Sequence, residues 1–274
     1  MEGSGGPWTL IKLQKVKDYL SRYQDVMLNQ DWVETIYVDA FCGGGQVKLR
    51  GAREFTEGSA LQALSLTRPF GQYHFIEKSR TALAKLQAQI DTRFPDRRVH
   101  YHPGDVNEHL PEVVSRLTAQ QRAVIFADPY GMQLKWATIE AVAQIPRCDF
   151  WLLVPTGMGL QRLATRDPRR RSQAWEKRID EFMGECDWRT RWYKQTGQTN
   201  LFDDTIEEVR SATLQRMSED FRDRLRDAFP CVAENYLHLK SNNRILFTLM
   251  FACSNTSPSA QKIAKRIANH LLKE

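Results

Sequence analysis

The sequence has no apolar run approaching the roughly 18 residues that a membrane-spanning helix needs. Its opening, MEGSGGPWTL, carries neither the basic nor the apolar region of an export signal. A soluble, cytoplasmic protein is expected, with MEGSGG as a flexible start. Cysteine is scarce: Cys42, Cys148, Cys186, Cys231 and Cys253 are odd in number, widely spaced and include no CxxC pair. That pattern excludes a disulfide framework and a structural zinc site. His100 and His102 share one strand face but have no thiol or acid at ligand spacing, so no metal is expected. Two nucleotide signatures are missing as well. GxxxxGK[ST] is absent, and Gly43 and Gly45 are followed by Lys48 rather than a third glycine, which argues against a phosphate loop and a dinucleotide fingerprint. No internal repeat or low-complexity tract is visible.

What is present is ordinary globular material: 274 residues, 42% hydrophobic and 26% charged, enough for one large domain with its own core. The net charge of +6 favours an anionic partner such as nucleic acid. Trp8 to Tyr23 reads as an amphipathic helix through Leu10, Leu13, Val16 and Leu20. Five apolar segments then alternate with helical ones. The strands are TIYVDAF (35–41), YHFIEKS (73–79), VHYHPGDV (99–106), AVIFADPYG (123–131) and DFWLLVPTG (149–157). The helices are GSALQALSL (58–66), TALAKLQAQI (81–90), HLPEVVSRL (109–117) and WATIEAVAQI (136–145). Nearly continuous apolar strands alternating with helices predict an α/β fold, a doubly wound and mostly parallel sheet covered on both faces. A basic helical insertion is expected over 161–230, with a helix at 203–229 broken near Thr213. NYLHLK (235–240) and RILFTLMFACS (244–254), separated by SNN, predict a C-terminal antiparallel hairpin, and PSAQKIAKRIANHLL a closing helix. The whole of 1–274 reads as a single domain.

In such a sheet, ligands bind beyond the carboxyl ends of the strands, where the strand order reverses. Four successive predicted strands end in acids: Asp39, Glu77, Asp105 and Asp128. Asp39 leads into Phe41, Cys42, Gly43, Gly44 and Gly45, a turn whose glycines admit close backbone approach to a ligand. Glu77 is placed to accept both hydroxyls of a ribose, and Asp105 to accept a hydrogen bond from an adenine amino group. This series fits an adenosine with a cationic, amino-acid-like tail, and S-adenosylmethionine is the candidate cofactor. The bland alternative for each residue alone is a turn or a helix cap.

The stretch ADPYG resembles the D/N/S-P-P-Y/F/W motif of amino methyltransferases, with one proline where that motif has two. The resemblance implies that Asp128 and the backbone at Pro129 bind an exocyclic amine while Tyr130 stacks on its base, with adenine N6 as the leading target. A strand-to-loop turn is the structural alternative. Between 162 and 178, seven Lys or Arg face two acids. Arg162, Arg169, Arg170 and Arg171 in that run are candidate phosphate contacts, or else a solvated loop. Trp188, Trp192 and Tyr193 read as the insertion's small core.

With these residues in view, the chain resembles the three-Cys-motif partner protein family. The resemblance runs through KLQKVKDYL, YVDAFCGGG, EGSALQAL, FIEKS, FADPYGM, FWLLVPTGMGLQRL, GECDWR and RILFTLMFACSN. That family is similar to Rossmann-like S-adenosylmethionine-dependent methyltransferases, and its name implies an accompanying protein that carries the cysteine motif. Cys42 and Gly44 stand where the family's usual turn has alanine and proline. Two functions stay open: a methyltransferase acting on DNA or RNA, and a cofactor- or RNA-binding module active only with the partner.

Overall fold

The computed structural model describes residues 4–28, 30, 32–49, 55–199 and 206–273. Its central sheet contains β1 Glu34–Asp39, β2 Gln72–Glu77, β3 Val99–Pro103, β4 Gln121–Ala127, β5 Cys148–Val154, β6 Cys231–Val232, β7 Leu237–Ser241 and β8 Arg244–Cys253. The spatial order is β3-β2-β1-β4-β5-β8, with β6 and β7 both pairing β8. β1 to β5 are parallel, and β8 runs antiparallel to β5. The order reverses between β1 and β4, so the crevice of a doubly wound sheet lies beyond their carboxyl ends.

The main helices are α1 Pro7–Met27, α2 Ser59–Leu64, α3 Arg80–Arg93, α4 Val106–Ser115, α5 Trp136–Ala143, α6 Gln173–Met183, α7 Trp188–Trp192, α8 Leu214–Ala228 and α9 Pro258–Leu271. Side chains alternate across a strand, so a strand covered on both faces must be apolar throughout. In β1, Ile36 and Val38 pack on one side and Tyr37 on the other. The Tyr37 side is closed by α1, α2, α3 and α9, and the opposite side by α4 to α8. The hairpin joining β7 to β8 turns through Asn242 and Asn243, both at positive φ (46° and 61°). That is the pair of left-handed residues a two-residue hairpin loop asks for.

Several expectations need correction. Leu10, placed on the buried stripe of α1, is 44% exposed, while Lys12 is buried on that stripe. Between the glycine turn and α2 the chain forms two strands absent from the sequence reading, Gln46–Leu49 and Phe55–Glu57, paired antiparallel. Ser4 and Gly5 pair with Lys48 and Leu49, so this part of the start is held rather than flexible; residues 1–3 lie outside the described residues.

The 161–230 segment is not purely helical. Tyr193–Thr199 and Ile206–Arg210 form an antiparallel ribbon, and the part of the expected helix at 203–205 lies outside the described residues. The ribbon's first strand, YKQTGQT, lacks apolar alternation, so its pairing leaves no signal in the sequence. The break near Thr213 is real: Thr213 caps α8, its hydroxyl accepting from the Arg216 N–H at 3.1 Å. Trp188, Trp192, Tyr193 and Phe221 join the core on the α4–α8 face, so this segment covers the sheet instead of forming a core of its own.

Candidate functional site

The carboxyl ends of β3, β2, β1 and β4 lie side by side, which brings the four strand-end acids to one edge of the sheet. They do different things there. Asp39 is fully buried; it accepts from the Phe41 N–H at 3.2 Å and the Tyr37 hydroxyl at 3.3 Å. Burial pushes its carboxyl up to about 6, against the pull of hydrogen bonds from Ser59 and Phe41, and the nearby charge of Asp128 adds to the rise. Asp39 therefore sits beneath the crevice and braces the turn rather than forming its wall.

Glu77 clamps the same turn from the next strand. Its two carboxylate oxygens accept from the Gly43 N–H at 3.1 Å and the Ser79 N–H at 2.7 Å. Gln89 from α3 donates to the Gly44 carbonyl at 2.9 Å, and the Gly58 N–H to that of Gly45 at 2.8 Å. Gly43 and Gly45 both have positive φ, 60° and 83°. They differ in surroundings. A Cβ on Gly45 would meet Leu86 at 2.9 Å, whereas one on Gly43 would meet nothing within 4 Å. Gly45 is needed for packing, whereas the space in front of Gly43 is open. Cys42 is buried behind the turn, its thiol pushed up by that burial, and Phe41 packs half-buried on the core.

Asp105 caps α4, accepting from the Asn107 N–H at 2.9 Å, and pairs with Lys78 at 3.2 Å. Burial works to raise its carboxyl, but the bonds from Asn107 and Lys78 outweigh this and hold it below the usual range. Capping was the alternative reading of this residue, and it is the role the geometry displays.

Asp128, one residue past β4, forms an ion pair with Lys12 of α1; its side chain is 29% exposed. Pro129 is buried, and Tyr130 is 82% exposed. Gly131 follows at φ 68°. This loop lies against the segment after β5: a Cβ on Gly159 would meet Met132 at 3.0 Å. Thr156–Leu160 there is a turn of π-helix, a form common at functional sites. Met158, 49% exposed, and the exposed Arg162 follow each other four residues apart on that segment. Tyr130, Met158 and Arg162 are thus exposed aromatic, apolar and cationic side chains on the segments that follow β4 and β5.

The other arginines do not behave as one patch. Arg169 forks onto Asp167 (3.0 and 3.1 Å), and Arg170 is exposed. Arg171 is withdrawn from solvent, its side chain only 7% exposed, over the ring of Tyr193 at 4.4 Å and paired with Glu176 at 3.2 Å. A guanidinium sealed in this way is not available to a phosphate, which corrects its assignment as a substrate contact. His74 stacks on His100 (4.7 Å) and His102 (5.2 Å). Burial, with the two neighbouring imidazoles, pushes His74 down to about 3. Among the described residues no group of His, Cys, Asp or Glu converges as a metal site. Two surface hollows of about 500 Å³ hold none of the four acids: one is lined by Phe229, Cys231 and Lys265, the other by Trp136, Asp180 and Gly184.

Sequence reasoning missed Lys12. A signal existed: positions 12, 16, 19, 20 and 23 share the stripe of α1 that carries Val16, Tyr19, Leu20 and Tyr23. A lysine on a buried stripe requires a partner.

Neither a family model nor a curated protein matches this sequence. Solved structures do resemble it. A Legionella pneumophila protein of the DUF519 family superposes with a TM-score of 0.54 at 13% identity, over 98% of this chain and 93% of that one. That likeness carries the fold across nearly the whole length. Trm1 from Pyrococcus horikoshii, solved with S-adenosyl-L-methionine, gives 0.47 at 11% identity over 92% of this chain and 57% of its own. An O-methyltransferase from Bacillus cereus, solved with SAH, gives 0.45 at 13% identity over 87% and 80%.

Proposed function

We propose that the chain is a Rossmann-like methyltransferase of the three-Cys-motif partner type. It uses S-adenosylmethionine to methylate an exocyclic amino group of a nucleic-acid base, adenine N6 favoured. The observation that carries this reading is the pairing of two turns at the switch point: the braced glycine turn after β1 with open space at Gly43, and the Asp128-Pro129-Tyr130 turn after β4. The residues present fit the cofactor. Gly43 leaves room for it, and Glu77 and Asp39 hold the cradle.

The cofactor supplies an electrophilic methyl group on a positively charged sulfur and departs as a neutral thioether. The chain supplies position and charge. Asp128 accepts a hydrogen bond from the amine, drawing its lone pair out of the ring, and can take the proton the nitrogen sheds. Tyr130 offers an exposed face for the base, and the exposed Arg162, Arg169 and Arg170 are the cations this reading assigns to phosphates. Calorimetric titration with S-adenosylmethionine, with NAD as control, followed by transfer of labelled methyl to DNA and RNA, tests the reading. Binding of NAD alone, or no labelled nucleic acid, ends it.

A second reading has one observation in its favour. Tyr130 is 82% exposed, so the base-facing half of the site is open in the isolated chain. It is then a binding module completed by a cysteine-motif partner, and activity arises only in the complex. Robust turnover by the chain alone rules this out.

A further inference from the structure

Lys12 is the least expected charge in the molecule. It is 7% exposed, comes from the N-terminal helix and reaches 116 positions along the chain to Asp128. Its ammonium also lies 5.9 Å from the ring of Phe126, the strand residue two before Asp128. Taking a lysine out of water is costly unless it is paired, so helix and acid hold each other. α1 is fixed in turn at the other end of the sheet, where the Tyr19 hydroxyl donates to the buried Asp149 at 2.5 Å. Lys12 bonds Oδ2 of Asp128, and among the described residues Oδ1 accepts no hydrogen bond.

We propose that Lys12 is a positioning residue. It fixes the rotamer of Asp128 through one carboxylate oxygen and leaves the other for the substrate amine, and its charge offsets the two carboxylates, Asp39 and Asp128, that meet at the switch point. The proposal rests on the methyltransferase reading above and adds to it a residue of α1, outside both turns. A consequence follows for ligands of different charge. S-adenosylmethionine carries a cationic sulfur and S-adenosylhomocysteine a neutral one, and an ammonium beside the site disfavours the former selectively.

The test measures dissociation constants of both ligands for the wild type, Lys12→Met, Lys12→Gln and Lys12→Arg, together with kcat, KM and melting temperature. Lys12→Met and Lys12→Gln should improve binding of the cationic ligand relative to the neutral one by about fivefold. Their kcat should fall tenfold or more, because Asp128 is no longer aimed. Lys12→Arg should keep both the ligand ratio and most of kcat. If both ligands weaken equally as the melting temperature drops, or if kcat is unchanged, Lys12 is only a structural peg and the proposal is overturned. Lys12→Gln keeps a polar terminus on a side chain one atom shorter, so it reports even where Lys12→Met does not fold. A wild type that binds neither ligand would sink the methyltransferase reading and this proposal together; one that binds both with a ratio insensitive to Lys12 sinks the proposal alone.

Discussion

The turns after β1 and β4 leave the sheet as neighbours, yet they are built in opposite ways. The first is tied from all sides: Asp39 beneath it, Glu77 beside it, Gln89 and Gly58 on its carbonyls. Among the described residues the second carries one ion pair, Lys12 with Asp128, beside a buried proline, and reaches a tyrosine that touches solvent over most of its surface. The difference fits a division of labour. A cradle for a small, invariant ligand gains from being prebuilt, since binding then loses little entropy, whereas a surface for a large substrate has to stay open.

Asp128→Ala should break the comparison most sharply if it is wrong. Removing the group aimed at the reacting amine is expected to lower kcat by about 10²- to 10³-fold, while the dissociation constant of S-adenosylmethionine stays within about threefold. Equal loss of both would mean the two turns form a single unit. Asp39→Asn tests the other side through pH. The folded chain holds the Asp39 proton up to about 6, more tightly than an unfolded chain does. The associated stability is present below about pH 4 and lost as pH rises through 6. That loss is of the order of 3 kcal/mol. The melting temperature of the ligand-free wild type should therefore decline over this window, and Asp39→Asn should flatten that decline; an unchanged slope would show that Asp39 is not the titrating group.

Smaller effects sharpen the picture. Tyr130→Ala should raise KM for nucleic acid about tenfold, the worth of one stacked base, without moving the melting temperature, because the side chain is 82% exposed. A stability loss instead would place Tyr130 in the core. Gly43→Ala combines a left-handed backbone cost of about 1 kcal/mol with a methyl group in the open space before the turn. It should weaken cofactor binding severalfold more than it lowers stability, and equal effects would mean that this turn is not the cradle.

The alternation of the five parallel strands with their helices, the hairpin turn at Asn242-Asn243 and the line of acids at strand ends could all be taken from the sequence by itself, because each follows from local periodicity and turn chemistry. Only the tertiary structure decided what those acids do. Asp39 and Asp105 serve their own turn and helix, Arg171 is sealed against rings, and the 161–230 segment covers the sheet while hiding a polar ribbon. The pairing of Lys12 with Asp128 joins residues far apart in the chain. Nothing local announces such a contact, since its energy comes from the attraction between two opposite charges brought together where a helix meets a strand end, which offsets the cost of withdrawing Lys12 from water.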